Sequence, residues 1–147
     1  MVREEREIIK IMETVNGIEV EKIFKAPRMY RLKAYEWESR TYPEFEKVKM
    51  QKCEAPAYLK KLSRHFKVSE PRLSHINKHS GGHYSPSAYG QASIALPKET
   101  SLSIVCHEFA HHLDTLRHPE SKIWHGRTFK RELKKVYTFT KRYLPKV

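Results

Sequence analysis

Three histidines, one glutamate and one aspartate lie in the nine-residue stretch C-H-E-F-A-H-H-L-D at positions 106–114. Imidazoles and carboxylates bind divalent metals, and imidazoles exchange protons near neutral pH. Within the stretch, His107 and His111 have the HExxH spacing. Four residues of α-helix turn through about 400°, so both imidazoles project from one face and can take two corners of a zinc tetrahedron. The spacing therefore predicts a zinc site on a helix, with one zinc ion per chain.

Glu108 follows the first histidine and points about 100° around the helix axis, beside the metal rather than on it. From there its carboxylate could accept a proton from a water on the metal and pass it to a leaving amine. We therefore expect Glu108 to act as general base. The alternative is a charged helix face with solvated histidines, because a motif with three fixed positions also arises by chance.

A catalytic zinc usually has three protein ligands and one open position. His112 points about 100° away from His111 and cannot join the same tetrahedron. Asp114 lies on the ligand face, where it could bind the metal but more naturally accepts a hydrogen bond from a ligand ring. His118 could cap the helix end. His125 follows a loop that lets the chain turn back, which is the geometry that a third ligand from a neighbouring helix needs.

The motif needs a stable helix to carry it, and the apolar residues around it have helical spacing. Thr100 or Ser101 can cap the start of this helix, and Pro119 ends it. A second helix begins near Gly126 and stops at Pro145. The apolar positions are Leu102, Val105, Phe109, Leu113 and Leu116 in the first helix, and Phe129, Leu133, Val136 and Tyr137 in the second.

The segment before the motif predicts a small antiparallel sheet over residues 71–97, because short alternating stretches are separated by Gly, Ser and Pro. Residues 91–96 form its expected edge strand. Five side chains of this region could stabilise an oxyanion if they border a cleft, although surface or turn positions are the commoner role for such residues. They are His75, His79, His83, Tyr84 and Tyr89.

Further upstream, residues 28–40 and 57–66 have the spacing of amphipathic helices. A short strand is expected around residues 18–24, after a turn signal, and residues 3–14 fit a helix or a strand. The apolar face of the helix over 28–40 is expected to contain Met29, Leu32 and Tyr35.

The charge of the chain favours a polyanionic partner. Its formal net charge is +12. Residues 118–147 contain nine Lys/Arg against Glu120 and Glu132, which leaves +7 in this stretch. Such an excess favours nucleic acid through counterion release, and we expect the basic second helix to make that contact. The alternative is a basic surface with no specific partner.

Two cysteines, Cys53 and Cys106, do not make the disulfide framework of a secreted protein, so we expect a cytoplasmic, reducing setting. Cys106 is expected to be a small buried hydrophobe. No stretch has the length of a membrane span, and the first residues lack the apolar segment of a signal peptide. We therefore expect no membrane partner.

The sequence H-E-F-A-H, followed after thirteen residues by H-G-R-T-F, resembles the SprT-like (Spartan-type) zinc metallopeptidases. In that family the third histidine precedes a glycine, and an aromatic residue lies three positions after the glycine. Small bacterial putative metallohydrolases of the zincin group are similar. The resemblance covers roughly residues 55–143, and Arg127 stands where the family commonly has proline. It implies zinc ligands at His107, His111 and His125, with Glu108 as general base.

Other zincin patterns fit less well. A metzincin would need a histidine or aspartate where Arg117 stands. A glutamate ligand on a downstream helix would have to be Glu132, which lies too far along the chain.

Together these features predict an α+β protein with a minimal zincin-like fold, in one domain over residues 1–147. The catalytic core is expected over 55–143, and the elements of 1–50 have no assigned role. The expected function is a zinc metallopeptidase acting on a protein or peptide substrate, associated with nucleic acid. A metallohydrolase of another amide or ester, and a non-catalytic zinc-containing nucleic-acid-binding domain, are the alternatives.

Overall fold

The structure is a computed structural model that describes residues 26–51, 53–76, 81–86, 91–121 and 123–144. The elements expected over residues 3–14 and 18–24, and the residues His79 and Tyr89, lie outside these ranges. None of the described helices is long and apolar enough to cross a membrane.

The described chain forms five α-helices, a short 3-10 helix and five strands. The helices are α1 (Ala26–Thr41), α2 (Pro43–Glu46), α3 (Glu54–Phe66), α4 (Leu102–Arg117) and α5 (Arg127–Thr140), and the 3-10 turn is Lys141–Tyr143. The strands are β1 (Lys49–Met50), β2 (Arg72–Ile76), β3 (His83–Ser85), β4 (Ser93–Pro97) and β5 (Thr100–Ser101). The predicted α+β class, with a small sheet packed on helices, is confirmed.

The larger sheet has three strands in the order β2-β4-β3. Strand β3 pairs with β4 in the antiparallel direction, as predicted, whereas β2 pairs with β4 in parallel. Strand β4 is therefore central among the described strands, and the prediction of an edge strand at 91–96 is wrong. Its side chains explain the difference, since Ile94 and Leu96 are fully buried and a central strand needs such residues.

The start of helix α4 is fixed by its neighbours. Ser101 caps it, as its Oγ accepts a hydrogen bond from the Ile104 backbone N–H at 3.4 Å. The Leu102 N–H donates to the Val48 carbonyl at 2.8 Å, next to the β1–β5 pair. From Val105 to Asp114 every residue of α4 is buried. The polar groups in this stretch must therefore find partners inside the protein.

Helix α5 returns along α4 after the loop of residues 118–126. Its apolar stripe is the predicted one: Phe129, Leu133, Val136 and Tyr137 are fully buried. Helix α3 joins the same core, and its Tyr58 hydroxyl donates to Thr140 Oγ1 at 2.6 Å.

Helix α1 forms where residues 28–40 predict one, but its buried face is different. Met29 and Leu32 are 50% exposed and Tyr35 is 43% exposed, whereas Ala34 and Glu38 are buried. The side of α1 that carries Ala34 and Glu38 is buried because Glu38 contacts the core, as described below. The predicted apolar face of α1 is therefore wrong.

Candidate metal centre

Three imidazoles meet at one point between α4 and the start of α5. The Nε2 atom of His125 lies 3.2 Å from that of His107 and 3.0 Å from that of His111. Nitrogen ligands of a tetrahedral zinc, at bonds of about 2.0–2.1 Å, lie about 3.3 Å from one another. The buried His107, His111 and His125 group could therefore hold a metal ion.

The protonation of the third imidazole suits a metal ligand, which must offer a free lone pair. Burial of His125, followed by the charges of His107 and Arg31, lowers its pKa to about 3. The ring is therefore neutral at physiological pH.

Aromatic side chains hold the three rings in place. Phe129 of α5 stacks on His111 at 4.3 Å between ring centroids, and it contacts His107 and His125 at 5.0 Å each. Trp124 packs on His111 at 4.8 Å. Phe129 is the aromatic residue of the H-G-R-T-F segment, so its position three residues after the glycine has a direct packing reason.

The backbone at His125 adopts an unusual conformation. Its φ is 64°, in the left-handed region, which costs energy for a residue with a side chain. Gly126 follows, and a Cβ there would lie 3.1–3.3 Å from atoms of Ile123. A glycine after His125 therefore avoids a close contact with Ile123 in the turn that directs the third imidazole at α4.

Glu38 of α1, absent from the sequence-based site, hydrogen-bonds the first ligand. The His107 Nδ1–H donates to Glu38 Oε2 at 2.6 Å, and the Tyr137 hydroxyl donates to Glu38 Oε1 at 2.7 Å. Burial acts to lower the pKa of His107, but the adjacent Glu38 outweighs it and the pKa is raised. The bond at Nδ1 leaves Nε2 to face the other imidazoles, as a carboxylate–histidine–metal arrangement requires.

A helix from the N-terminal part of the chain thus completes the centre. Tyr35, one turn before Glu38, stacks on His107 with ring centroids 4.7 Å apart and an angle of 5°. No local motif marks these residues, because Glu38 and His107 lie 69 positions apart in the chain.

Glu108 lies beside the three imidazoles, with its side chain 4% exposed. Burial, opposed by His107 and reinforced by Glu38, raises its pKa to about 7. Gly82 lies against it, since a Cβ on Gly82 would come within 2.8 Å of Glu108 Cγ. The absence of a side chain at residue 82 leaves room for the Glu108 carboxylate at the cleft.

Two adjoining cavities open on this centre, with volumes of about 310 Å³ and about 130 Å³. Tyr35, Gly82, His107 and Glu108 line both of them. The smaller cavity is also lined by Arg31, His83, Tyr84, His111, Trp124 and His125. The larger one extends away from the third ligand, towards Glu46 and the start of α4.

Asp114 and His118, the other two sequence candidates, do not belong to the ligand group that the described residues form. Asp114 is buried in α4, and its expected role of orienting a ligand stays a prediction. His118 lies 4.0 Å from Glu132 and 3.7 Å from Glu120, at the far end of the helix.

Glu132 is fully buried between α4 and α5, away from the three histidines. It accepts hydrogen bonds from Arg117 at 3.4 Å and from Lys135 at 3.1 Å. This carboxylate joins the two helices.

His112 and Tyr84 form a separate structural pair. The His112 Nε2–H donates to the Ser69 carbonyl at 2.7 Å, so its Nδ1 accepts from the Tyr84 hydroxyl at 3.0 Å. Burial lowers the pKa of His112, which keeps the ring neutral. The Tyr84 hydroxyl is therefore engaged with His112 rather than directed at a reacting group, while His83 lines the smaller cavity.

Comparison with known proteins returned no family model, no curated protein and no solved structure that matches this chain.

Proposed function

We propose that the protein is a zinc metallopeptidase similar to the SprT-like group. The observation that carries the proposal is the cluster of His107, His111 and His125 with the Glu108 carboxylate beside it, at the wall of an open cleft. Structural zinc sites usually have four protein ligands, whereas catalytic sites have three and an open position. The described residues supply three.

Zinc held there would act as a Lewis acid and would lower the pKa of a water at its open position. Glu108, beside the three imidazoles, would receive the proton of that water and would deliver it to the leaving amine. A base is most effective when its pKa lies near the working pH, and the pKa of Glu108 is raised to about 7. The Glu38 carboxylate holds the His107 ring in one orientation while the proton moves.

The peptide would lie along strand β3, which is an edge of the sheet among the described strands. Gly82 and His83, at the start of this strand, line the cavities next to Glu108. An extended peptide added to this edge by backbone hydrogen bonds would pass the reacting groups.

A basic surface supports the proposal that the substrate is bound to nucleic acid. Five of the six exposed residues of α5 are cationic, and Glu132, the acidic residue of this helix, is buried. The five are Arg127, Lys130, Arg131, Lys134 and Lys135.

The Glu108→Gln variant tests the catalytic role. We expect it to bind one zinc per chain, as the wild type does, because Glu108 is no ligand. Hydrolysis of casein and of a DNA-bound protein should fall by about 10²–10⁴-fold, the usual contribution of a general base. Metal analysis and product quantification measure both.

Three results separate the alternatives. Retained hydrolysis in Glu108→Gln would contradict a catalytic Glu108. A wild type that binds zinc and DNA but hydrolyses no substrate would instead favour a non-catalytic zinc-containing nucleic-acid-binding domain. A wild type that cleaves small esters or amides in a Glu108-dependent manner, but no peptide bond, would identify a metallohydrolase of another class.

A further inference from the structure

The larger cavity beside the metal centre has an acidic lining in a protein of net charge +12. Three carboxylate side chains, Glu38, Glu46 and Glu108, border it, together with the hydroxyls of Ser101 and Ser103. No lysine or arginine occurs among the described residues that line it. The cavity is therefore locally opposite in charge to the whole molecule.

The carboxylates differ in what they can offer a ligand. Both oxygens of Glu38 already accept hydrogen bonds from the protein. Glu46 is exposed at the far side, and one of its oxygens accepts from Ser39 Oγ at 2.6 Å, which fixes the side chain. Glu108 is more than nine-tenths buried and has no hydrogen bond to another described residue. Its carboxylate is therefore open to whatever enters the cleft.

The remaining walls suit an aliphatic chain. The exposed part of the Tyr35 ring and the side chain of Ile104 give an apolar lining between the metal centre and Glu46. Lysine and arginine side chains combine an apolar stem with a charged head that donates several hydrogen bonds. A volume of about 310 Å³ accommodates either one.

We propose that this cavity is a subsite for a lysine or arginine side chain of the substrate, with its charged end at Glu46. The subsite rests on the proposed peptidase function, and it names the substrate class as basic polypeptides. Proteins that bind nucleic acid are rich in such residues, so the acidic cleft and the cationic outer surface would serve one substrate.

The test compares two charge reversals on the same short helix. Glu46→Lys changes the cavity lining, whereas Glu44→Lys changes an exposed residue of α2 outside it. Cleavage sites in casein are mapped first, and peptides then carry lysine, norleucine or glutamate at the preferred position. We expect kcat/KM of the wild type to be at least about tenfold higher for lysine than for norleucine. Glu46→Lys should abolish this preference and Glu44→Lys should keep it.

A binding measurement separates failure of the subsite from failure of the peptidase function. If no peptide is cleaved, the peptidase proposal fails, and fluorescence anisotropy of labelled lysine and glutamate peptides still examines the cavity. Tighter binding of the lysine peptide, lost in Glu46→Lys alone, supports the subsite. Equal binding of both peptides, equal cleavage of all three, or the same effect of both variants overturns it.

Discussion

The orientation of His107 depends on one carboxylate from a distant part of the chain. Glu38 is 5% exposed and is held from both sides, by the imidazole at 2.6 Å and by Tyr137 at 2.7 Å. A buried carboxylate needs such partners, because desolvation of the charge is otherwise costly. His107, Glu38 and Tyr137 therefore form one hydrogen-bonded unit. Removing the negative charge of Glu38 should weaken the binding of metal by His107.

For Glu38→Gln we expect zinc affinity to fall by about 10–100-fold, as for other groups that hydrogen-bond a metal-bound histidine. Competition with a chelating dye measures this. Glu36→Gln is the matched control, because Glu36 lies on the same helix, is exposed and pairs with the exposed Arg40 at 3.7 Å. Identical affinity in Glu38→Gln and wild type would mean that the carboxylate does not position the ligand.

His125 is the ligand that the motif itself does not supply, and its substitution gives a second prediction. We expect His125→Ala to bind well under one zinc per chain after dialysis, because only two nitrogen ligands remain. His118→Ala removes a histidine of the same loop that is paired with Glu120 and Glu132 instead, so its zinc content should stay unchanged. Loss of zinc in His118→Ala, with unchanged zinc content in His125→Ala, would instead identify His118 as the third ligand.

At the scale of elements, α4 and α5 are held together by apolar packing and by one buried carboxylate. Glu132 accepts hydrogen bonds from Arg117 and Lys135, whose side chains are 33% and 52% exposed. If the glutamate is removed, water can therefore replace some of the hydrogen bonds that these two cations lose. The ion pairs of Glu132 with Arg117 and Lys135 contribute to stability, although less than fully buried ion pairs would.

We expect Glu132→Ala to lower the free energy of unfolding by about 1–3 kcal/mol, since it removes buried hydrogen bonds and leaves a cavity. Urea unfolding measures the loss, and zinc content should stay the same. Glu120→Ala, at an exposed partner of His118, should change stability by less than about 0.5 kcal/mol. Loss of zinc in Glu132→Ala with unchanged stability would instead make Glu132 a metal ligand.

The helices also show which parts of the structure can be predicted from the sequence. The helix that carries the motif and the helix after Gly126 could be predicted because their apolar spacing is local and their caps lie beside them. The contact of Glu38 with His107 could not, because it joins residues sixty-nine positions apart. Local spacing also fails to predict the buried face of α1. Met29, Leu32 and Tyr35 are apolar residues at helical spacing, but this spacing does not show which side of the helix meets the core.

Strand pairing has the same limit. The alternation around Ile94 and Leu96 identifies a strand, but it carries no information on the number of its neighbours. The structure adds β2 in parallel on one side of β4 and β3 antiparallel on the other. The described edges of this sheet are therefore β2 and β3, and β3 is the one next to Gly82 and Glu108.

At the scale of the whole molecule, charge is divided between two surfaces. The cleft is bordered by glutamates, whereas the outer face of α5 is cationic. Helix α3 carries three further exposed cations, Lys60, Lys61 and Arg64, and Lys61 lies 3.6 Å from the ring of Tyr143 after α5. Charges of opposite sign on separate faces allow a polyanion and a basic polypeptide to bind at once.

Binding of DNA by the face of α5 should depend steeply on salt, because each neutralised phosphate releases counterions. We expect Arg131→Gln with Lys134→Gln to reduce the slope of log K against log salt concentration by about 1.8, at about 0.9 for each phosphate contact. The matched control, Lys47→Gln with Lys98→Gln, removes two exposed charges that do not belong to α5 and should leave the slope nearly unchanged. Affinity that ignores salt, or an equal effect of both pairs, would show that α5 is not the contact face.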